Sequence, residues 1–421
     1  MTSIKMRLLW LCLFIALGLL PASLRATNFV FTNDNVYSPS NSVTVFRVNP
    51  TTYALIKVGT YPTGGMGWSN GGYLASNRIV TSPNGNYVFA HNAGDNTVSV
   101  LRVNKATGAL TPISGSPFST LGNGLFGASL AITPNGDFLF IAHTYSETIT
   151  RFSLAENGRL TYLGSTDLTN FGSVLDGTKV RPDGKFLAVA LFNRSKGKVA
   201  MFSIGHGGAL AAVPGSPFPV AGVGPVAGLD FECGCNLLFA GESDLPQTAV
   251  DVFSVGKKGA LTEVLGSPFV FGGIESDVVL YSAFGRLLFV SNQVTDSIWA
   301  LKVDSSGVLT PGPNSPVPVG TFSYRVGMAS NSLVNPHTHE TVHLLYVAML
   351  NNGVAVFTVA EDGTLTEVAG SPFPTGVSGG LMSIAVTPGG YCGGPIDRGE
   401  FLPGQTRNED EPCVEAHYVC R

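Results

Sequence analysis

The chain reads as all-β: a seven-bladed β-propeller of four-stranded antiparallel blades, its ring closed by N- and C-terminal strands that share a blade. Three observations predict this. A turn glycine recurs at Gly85, Gly136, Gly184, Gly234 and Gly285, at intervals of 51, 48, 50 and 51 residues. Two strand patterns each occur seven times. The first of these patterns opens the expected mature chain at Phe29, in the middle of a unit, so the strand that should precede it can come from the other end. A period near 50 with several strands per unit is the mark of a propeller, in which neighbouring sheets bury one another's faces.

The unit is clearest at Ser82–Phe118. Pro83-Asn84-Gly85 is a tight turn, with Pro presetting the bend and Gly accepting positive φ. Tyr87–Ala90 and Thr97–Val103 are β-branched and aromatic runs, as strands prefer. Gly108-Ala-Leu opens the last segment, which ends at Gly115-Ser116-Pro117-Phe118.

The second strand of the unit reads YVFA, FLFIA, FLAVA, LLFAG and LLFVS after the five marked glycines. Phe29–Thr32 and Leu344–Ala348 add two more copies. The third strand begins at Val43, Thr97, Thr148, Lys198, Ala249, Ser297 and Gly353. Ser-Pro-Phe recurs at Ser116, Ser216, Ser267 and Ser371 and reads as a turn after the outermost strand. It lacks the Gly-x-Ser-x-Gly elbow of a nucleophile. Leu381–Val386 is the expected first strand for Phe29–Thr32, which would remove two unpaired edges.

The ends are read separately. Met1–Ala26 has a basic start (Lys5, Arg7) and an apolar stretch, Leu8–Leu20, too short to span a membrane comfortably. It is expected to be a secretory signal peptide, giving an extracellular or periplasmic protein with no membrane span once it is removed. Residues 27–391 form the propeller. Residues 392–421 form a tail with three cysteines and the acidic run Glu409-Asp410-Glu411, expected to be tied down by a disulfide.

Formal charge is −4, and removing the leader takes away three basic residues and no acid. No basic run remains, so nucleic acid and anionic lipid are not expected partners. Five cysteines survive, an odd number. Cys233-Gly-Cys235 is too closely spaced for a relaxed bridge with itself and lacks the second pair of a zinc site. No cofactor or metal is expected, and the chain is expected to be a monomer.

His339-Glu340-Thr341-Val342-His343 matches His-Glu-x-x-His, which holds zinc when it lies on a helix. Here it enters a strand, so it reads as a polar insertion.

Topology gives better candidates. The end of each second strand and the start of each first strand face the same rim. His91, Asn92 and Asp95 fall there, as do His143 and Tyr145, Asn193 and Arg194, and Glu242 and Asp244. Glu275, Asp277, Asn292, Gln293, Asp296 and Arg325 complete the set. Arg325, Glu242 and His143 are the candidate catalytic groups: a fixed cation for a developing oxyanion, and two candidate bases for water. His91, Arg194, Glu275, Asp277 and Asp296 are candidate ligand contacts. The competing reading is a solvated loop face whose Asn and Asp residues cap turns.

Pro182–Leu187 (PDGKFL), Gly285–Gln293 (GRLLFVSNQ) and the Gly-x-Leu-Thr and Ser-Pro-Phe punctuation resemble the seven-bladed β-propeller lactonase family. That family includes 6-phosphogluconolactonase-like and carboxymuconate-lactonising members. Tyr87–Val103 is similar to the related secreted Tyr-Val-Thr-Asn repeats. The resemblance covers roughly Asn28–Tyr391. It implies the same fold, opening of a cyclic ester by water, and a His, Glu and Arg cluster at the propeller mouth. The family's Pro-His-x-His segment leads into a first strand, whereas Pro336-His337-Thr338-His339 lies between a first and a second strand, at the opposite end of its blade. Two functions follow: a secreted lactonase-like hydrolase, or a non-catalytic propeller that binds a small-molecule, protein or glycan ligand at the cell envelope.

Overall fold

The structure, a computed structural model, describes residues 28–68, 77–122, 127–171, 174–192, 196–234, 236–243, 246–320, 327–350, 353–381 and 383–387. The leader, the tail, the final turn at Pro388 and Cys235 lie outside the described residues. Cys233 is disulfide-bonded, and every other cysteine also lies outside them.

Seven antiparallel sheets form the blades. Blade 1 holds, from the inside out, Ser383–Thr387, Phe29–Asn33, Ser42–Val48 and Leu55–Pro62. Phe29 pairs with Thr387 and Asn33 with Ser383, so the two ends of the chain share one sheet as expected. The closing strand runs to Thr387 rather than ending at Val386. The second strands of blades 2 to 7 are Tyr87–Asn92, Phe138–His143, Phe186–Phe192, Leu237–Glu242, Leu287–Asn292 and Thr341–Met349. The last of these is longer than its sequence pattern, because Thr341–His343 extends the pairing with Ser332–Val334.

The outermost strand departs from the simple pattern, and the Ser-Pro motif explains how. In blade 4, Leu210–Ala212 pairs with one end of Lys198–Ile204, and Phe218–Pro219 pairs with the other. Between them the Ser216 hydroxyl accepts the Met201 N–H at 2.9 Å. The break would otherwise leave that amide without a partner. Ser116, Ser267, Ser315 and Ser371 do the same for Val100, Val252, Ala300 and Val356. The motif is thus a hinge inside the outer strand rather than a turn beyond it. Blades 1 and 3 lack it and keep continuous outer strands, Leu55–Pro62 and Leu160–Asp167, each with one bulge.

Seven apolar clusters fill the seven interfaces between neighbouring blades. Phe239 of blade 5 stacks on Tyr281 of blade 6, with ring centroids 5.6 Å apart. The Gly-x-Leu glycines belong to these interfaces. A Cβ on Gly108 would stand 2.5 Å from the Phe29 ring of the preceding blade, and one on Gly259 would stand 2.3 Å from Phe186. Both glycines also have positive φ, so no L side chain fits in either respect. Among the described residues no helix is long and apolar enough to cross a membrane.

Candidate functional site

Register places the rim. Ala128 pairs with His143, Val226 with Glu242 and Ser276 with Asn292, so first-strand starts and second-strand ends meet at one mouth. Arg325 and Arg194 lie outside the described residues, as do Asn193 and Asp244. The other candidate catalytic and ligand-contact residues fall into three groups.

His91 and His143 come together between blades 2 and 3. Leu139 and Ile141 point into the core between these blades, as does Phe89. By strand alternation His143 therefore faces blade 2 and His91 faces blade 3. Both are buried. The His143 Nε2 is 2.9 Å from the Thr150 hydroxyl. Burial pulls its pKa down to about 4, against a smaller upward pull from the Thr120 carbonyl. Burial, then the charge of Arg78, then His143 hold His91 well below the usual imidazole range. Both rings are neutral at physiological pH.

Glu242 belongs to a second group that sequence reading did not assemble. Glu242, Asp251 and Glu263 stand on the second, third and fourth strands of blade 5. Each occupies the alternation that carries Ala240, Phe253 or Leu261 toward blade 4. One loop donates a single N–H to each of the three, while Glu242 Oε1, Asp251 Oδ2 and Glu263 Oε2 have no hydrogen-bond partner. Gly224 N–H donates to Glu242 Oε2 at 2.5 Å, Gly222 N–H to Asp251 Oδ1 at 3.2 Å, and Ala221 N–H to Glu263 Oε1 at 2.7 Å. Glu242 is fully buried, so its carboxylate is turned into the blade interface and away from solvent.

Asp277, Glu275 and Asp296 form the third group, on blade 6. Ser243 Oγ donates to Asp277 Oδ1 at 2.6 Å, and Ser276 Oγ donates to the Glu242 carbonyl at 2.7 Å. Ser243 and Ser276 thus join the rims of blades 5 and 6, through the Asp277 carboxylate and the Glu242 backbone carbonyl. Glu275 and Asp296 take left-handed backbones (φ 61° and 48°), and the Glu275 carbonyl accepts the Gln293 N–H. Asp296 occupies the turn position that Asn96 and Glu147 fill in blades 2 and 3. At these two residues the turn role is the one the geometry displays.

Four groups went unnoticed in the sequence. Arg78 precedes the first strand of blade 2, as Arg325 precedes that of blade 7, so the rule that selected Arg325 also reaches it. Asp251 was visible as an acid within the apolar run AVDVFSV. Asp34 accepts from Thr32, Ser42 and Thr44, and burial pushes it up to about 6. Glu263 had no distinguishing signal. The His-Glu-x-x-His segment is a turn and a strand on the far rim, where His343 stacks on Phe284. Among the described residues no group of three or more His, Cys, Asp and Glu could hold a metal ion.

With this geometry in place, the chain can be compared with known proteins. Residues 36–175 match the family model described as lactonase, 7-bladed β-propeller. The match covers residues of blades 1 to 4 only, and over that stretch the chain is similar to the lactonase propellers. The matched stretch runs from blade 1 into blade 4 and contains Arg78, His91 and His143. Solved structures similar to this propeller include a periplasmic gluconolactonase from Pseudomonas aeruginosa, with TM-score 0.63, 16% identity and 86% of this chain and 99% of that chain covered. A protein from Bacteroides uniformis, provisionally described as a 6-phosphogluconolactonase, gives 0.62 and 18% over 86% and 99% of the two chains. At such identities the likeness is one of fold. No curated protein matches the chain.

Proposed function

We propose that this propeller hydrolyses a lactone at its mouth, acting outside the cytoplasm after removal of Met1–Ala26. The observation that carries the reading is His143. It is a neutral imidazole at the rim, inside the stretch matched by the lactonase family, and its Nε2 is fixed by Thr150. A histidine held down to about 4 stays unprotonated, and so competent to accept a proton, through the whole neutral range. In the reaction, water attacks the ester carbonyl while its proton passes to the base. The ring C–O bond then breaks, and the proton returns to the departing alkoxide, leaving a hydroxy acid. Arg325 is assigned the developing oxyanion, and Glu242 a supporting electrostatic role. Export favours an unphosphorylated lactone, because phosphorylated sugar lactones are cytosolic metabolites.

The burial of His91, His143 and Glu242 favours a second reading, a mouth that binds a ligand without turning it over. Acid release from D-glucono-1,5-lactone by the purified chain, read above the spontaneous rate, separates the two. Release that depends on His143 supports the enzyme. Saturable binding with no release supports the binder.

A further inference from the structure

We propose that the mouth carries an apolar face, Leu121 and Tyr145, which seats the hydrocarbon substituent of an alkyl-substituted lactone beside the segment that covers His143. Half of the large apolar side chains exposed among the described residues stand on mouth loops: Tyr37, Met66, Leu121, Tyr145, Val223 and Val294. The others lie along outer strands, except Val334 at the far rim.

An exposed apolar residue needs no explanation by itself. Leu121 also has φ of 58°, a left-handed backbone that is unfavourable for an L residue. Among the described residues it is the one aliphatic side chain at positive φ; the other non-glycine residues there are polar or aromatic. Its side chain is 57% exposed, so packing within the chain does not offset the strain. Strain of this kind persists where the surroundings impose it, and it gathers at ligand sites. Here the surroundings do impose it. The Thr120 N–H and hydroxyl both donate to the Asn96 carbonyl, at 3.0 and 2.8 Å, and the Leu121 N–H donates to Ser119 Oγ at 3.3 Å.

The place of this segment says what Leu121 would meet. The Thr120 carbonyl bears on His143. The Gly122 backbone lies on the His143 ring, where a Cβ would come within 2.4 Å of it. Leu121, between these two, is turned outward. Tyr145 follows His143 by two residues on the blade 3 turn and is 51% exposed. An aliphatic and an aromatic side chain thus stand on the two segments that meet at the candidate base, where a ligand at the mouth would lay its apolar part.

That the ligand is a lactone rests on the function proposed above; the apolar face does not. The test uses alkyl δ-valerolactams, which share the ring and carbonyl of a lactone but resist hydrolysis, so binding is read whether or not the protein is an enzyme. Calorimetry on the purified chain should show affinity rising about twofold to fourfold for each methylene added beside the nitrogen. Leu121→Asn keeps a residue suited to the left-handed backbone, as Asn96 shows at φ of 56°. It should remove most of that rise without lowering the melting temperature, whereas loss of a leucine needed for folding would lower it. Leu265→Ser, at a leucine 94% exposed on the outer edge of blade 5, should keep the full rise. Affinity independent of chain length, an equal rise in Leu121→Asn, or an equal loss in Leu265→Ser would overturn the proposal. So would self-association of the wild type that Leu121→Asn abolishes, because a second copy would then occupy this face. The expected rise in a protein that opens no lactone would uphold the face and refute the hydrolase reading. Lactone opening with lactam affinity blind to chain length would do the reverse.

Discussion

Asp251 and Glu242 lie on adjacent strands of blade 5 and face the same apolar wall of blade 4, formed by Val199, Met201 and Val213. Burial first, then the neighbouring Glu242 carboxyl, then Glu263 push the Asp251 pKa up to about 9. No cation is among these causes. The cluster tolerates its own crowding because Asp251 holds a proton and because the loop at Ala221–Gly224 supplies an N–H to each carboxyl.

A pH dependence of stability follows. A carboxyl raised in the folded state binds its proton more tightly there than in the unfolded chain. Its contribution is therefore complete below the unfolded pKa and is lost as pH rises through the folded one. For Asp251 that window runs from the ordinary aspartate range to about 9, and Asp34, raised to about 6, adds to its lower part. The melting temperature should fall as pH is raised from 5 to about 9 and beyond. Asp251→Asn, which is neutral at every pH, should flatten that fall. An equally steep fall in the variant would show that other groups govern it.

Gly222 is the point of closest approach. A Cβ there would lie 1.5 Å from Glu242 Oε1, inside a buried interface. Gly222→Ala must displace the carboxylate or the loop and should cost about 1–3 kcal/mol, the scale of overpacking. Gly207 is the control. It has φ of 66° but open space around it, so Gly207→Ala should cost only the backbone share, ~1 kcal/mol. Urea unfolding of the two variants measures the difference.

Ser216→Ala would remove the acceptor for the Met201 N–H at the break in the outer strand of blade 4. The loss should be about 1–3 kcal/mol, the cost of an unsatisfied buried donor. Ser267→Ala should behave alike on blade 5, and the double variant should be close to additive because the two sites share no partner. A null effect would mean that water replaces the hydroxyl.

The propeller was legible because its signals repeat. A turn glycine, a strand of large apolar residues and a Gly-x-Leu punctuation recur once per blade, and each copy reinforces the register of the others. Phe29 opening the chain in mid-unit even foretold the sheet it shares with Ser383–Thr387. The split outer strand was missed because Ser216 is recognisable as a turn residue, while its bond to Met201 depends on pairing across the sheet. The site was partly legible for a related reason. Position along the repeat identifies a rim residue such as His91 or Glu242. Which interface each side chain enters depends on strand alternation, and which partners it finds there depends on the neighbouring blade. That is why Asp251, which the neighbouring Glu242 helps to raise, and Arg78, whose charge adds to the effect of burial on His91, did not emerge from the sequence.

The proposed lactone hydrolysis belongs to the mouth rim rather than the far rim. The most direct measurement is the turnover of D-glucono-1,5-lactone by the wild-type chain and by His143→Gln, Arg325→Ala and His339→Ala. Wild-type turnover is expected above the spontaneous rate. A loss of about 10²-fold or more is expected in Arg325→Ala, the scale for removing one oxyanion donor, and a comparable loss in His143→Gln, the scale for removing a general base. His339, on the exposed far-rim turn, should be replaceable with little effect. Activity abolished by His339→Ala but intact in the other two variants would place the chemistry on the wrong face of the propeller, and the absence of any turnover in the wild type would contradict the claim outright.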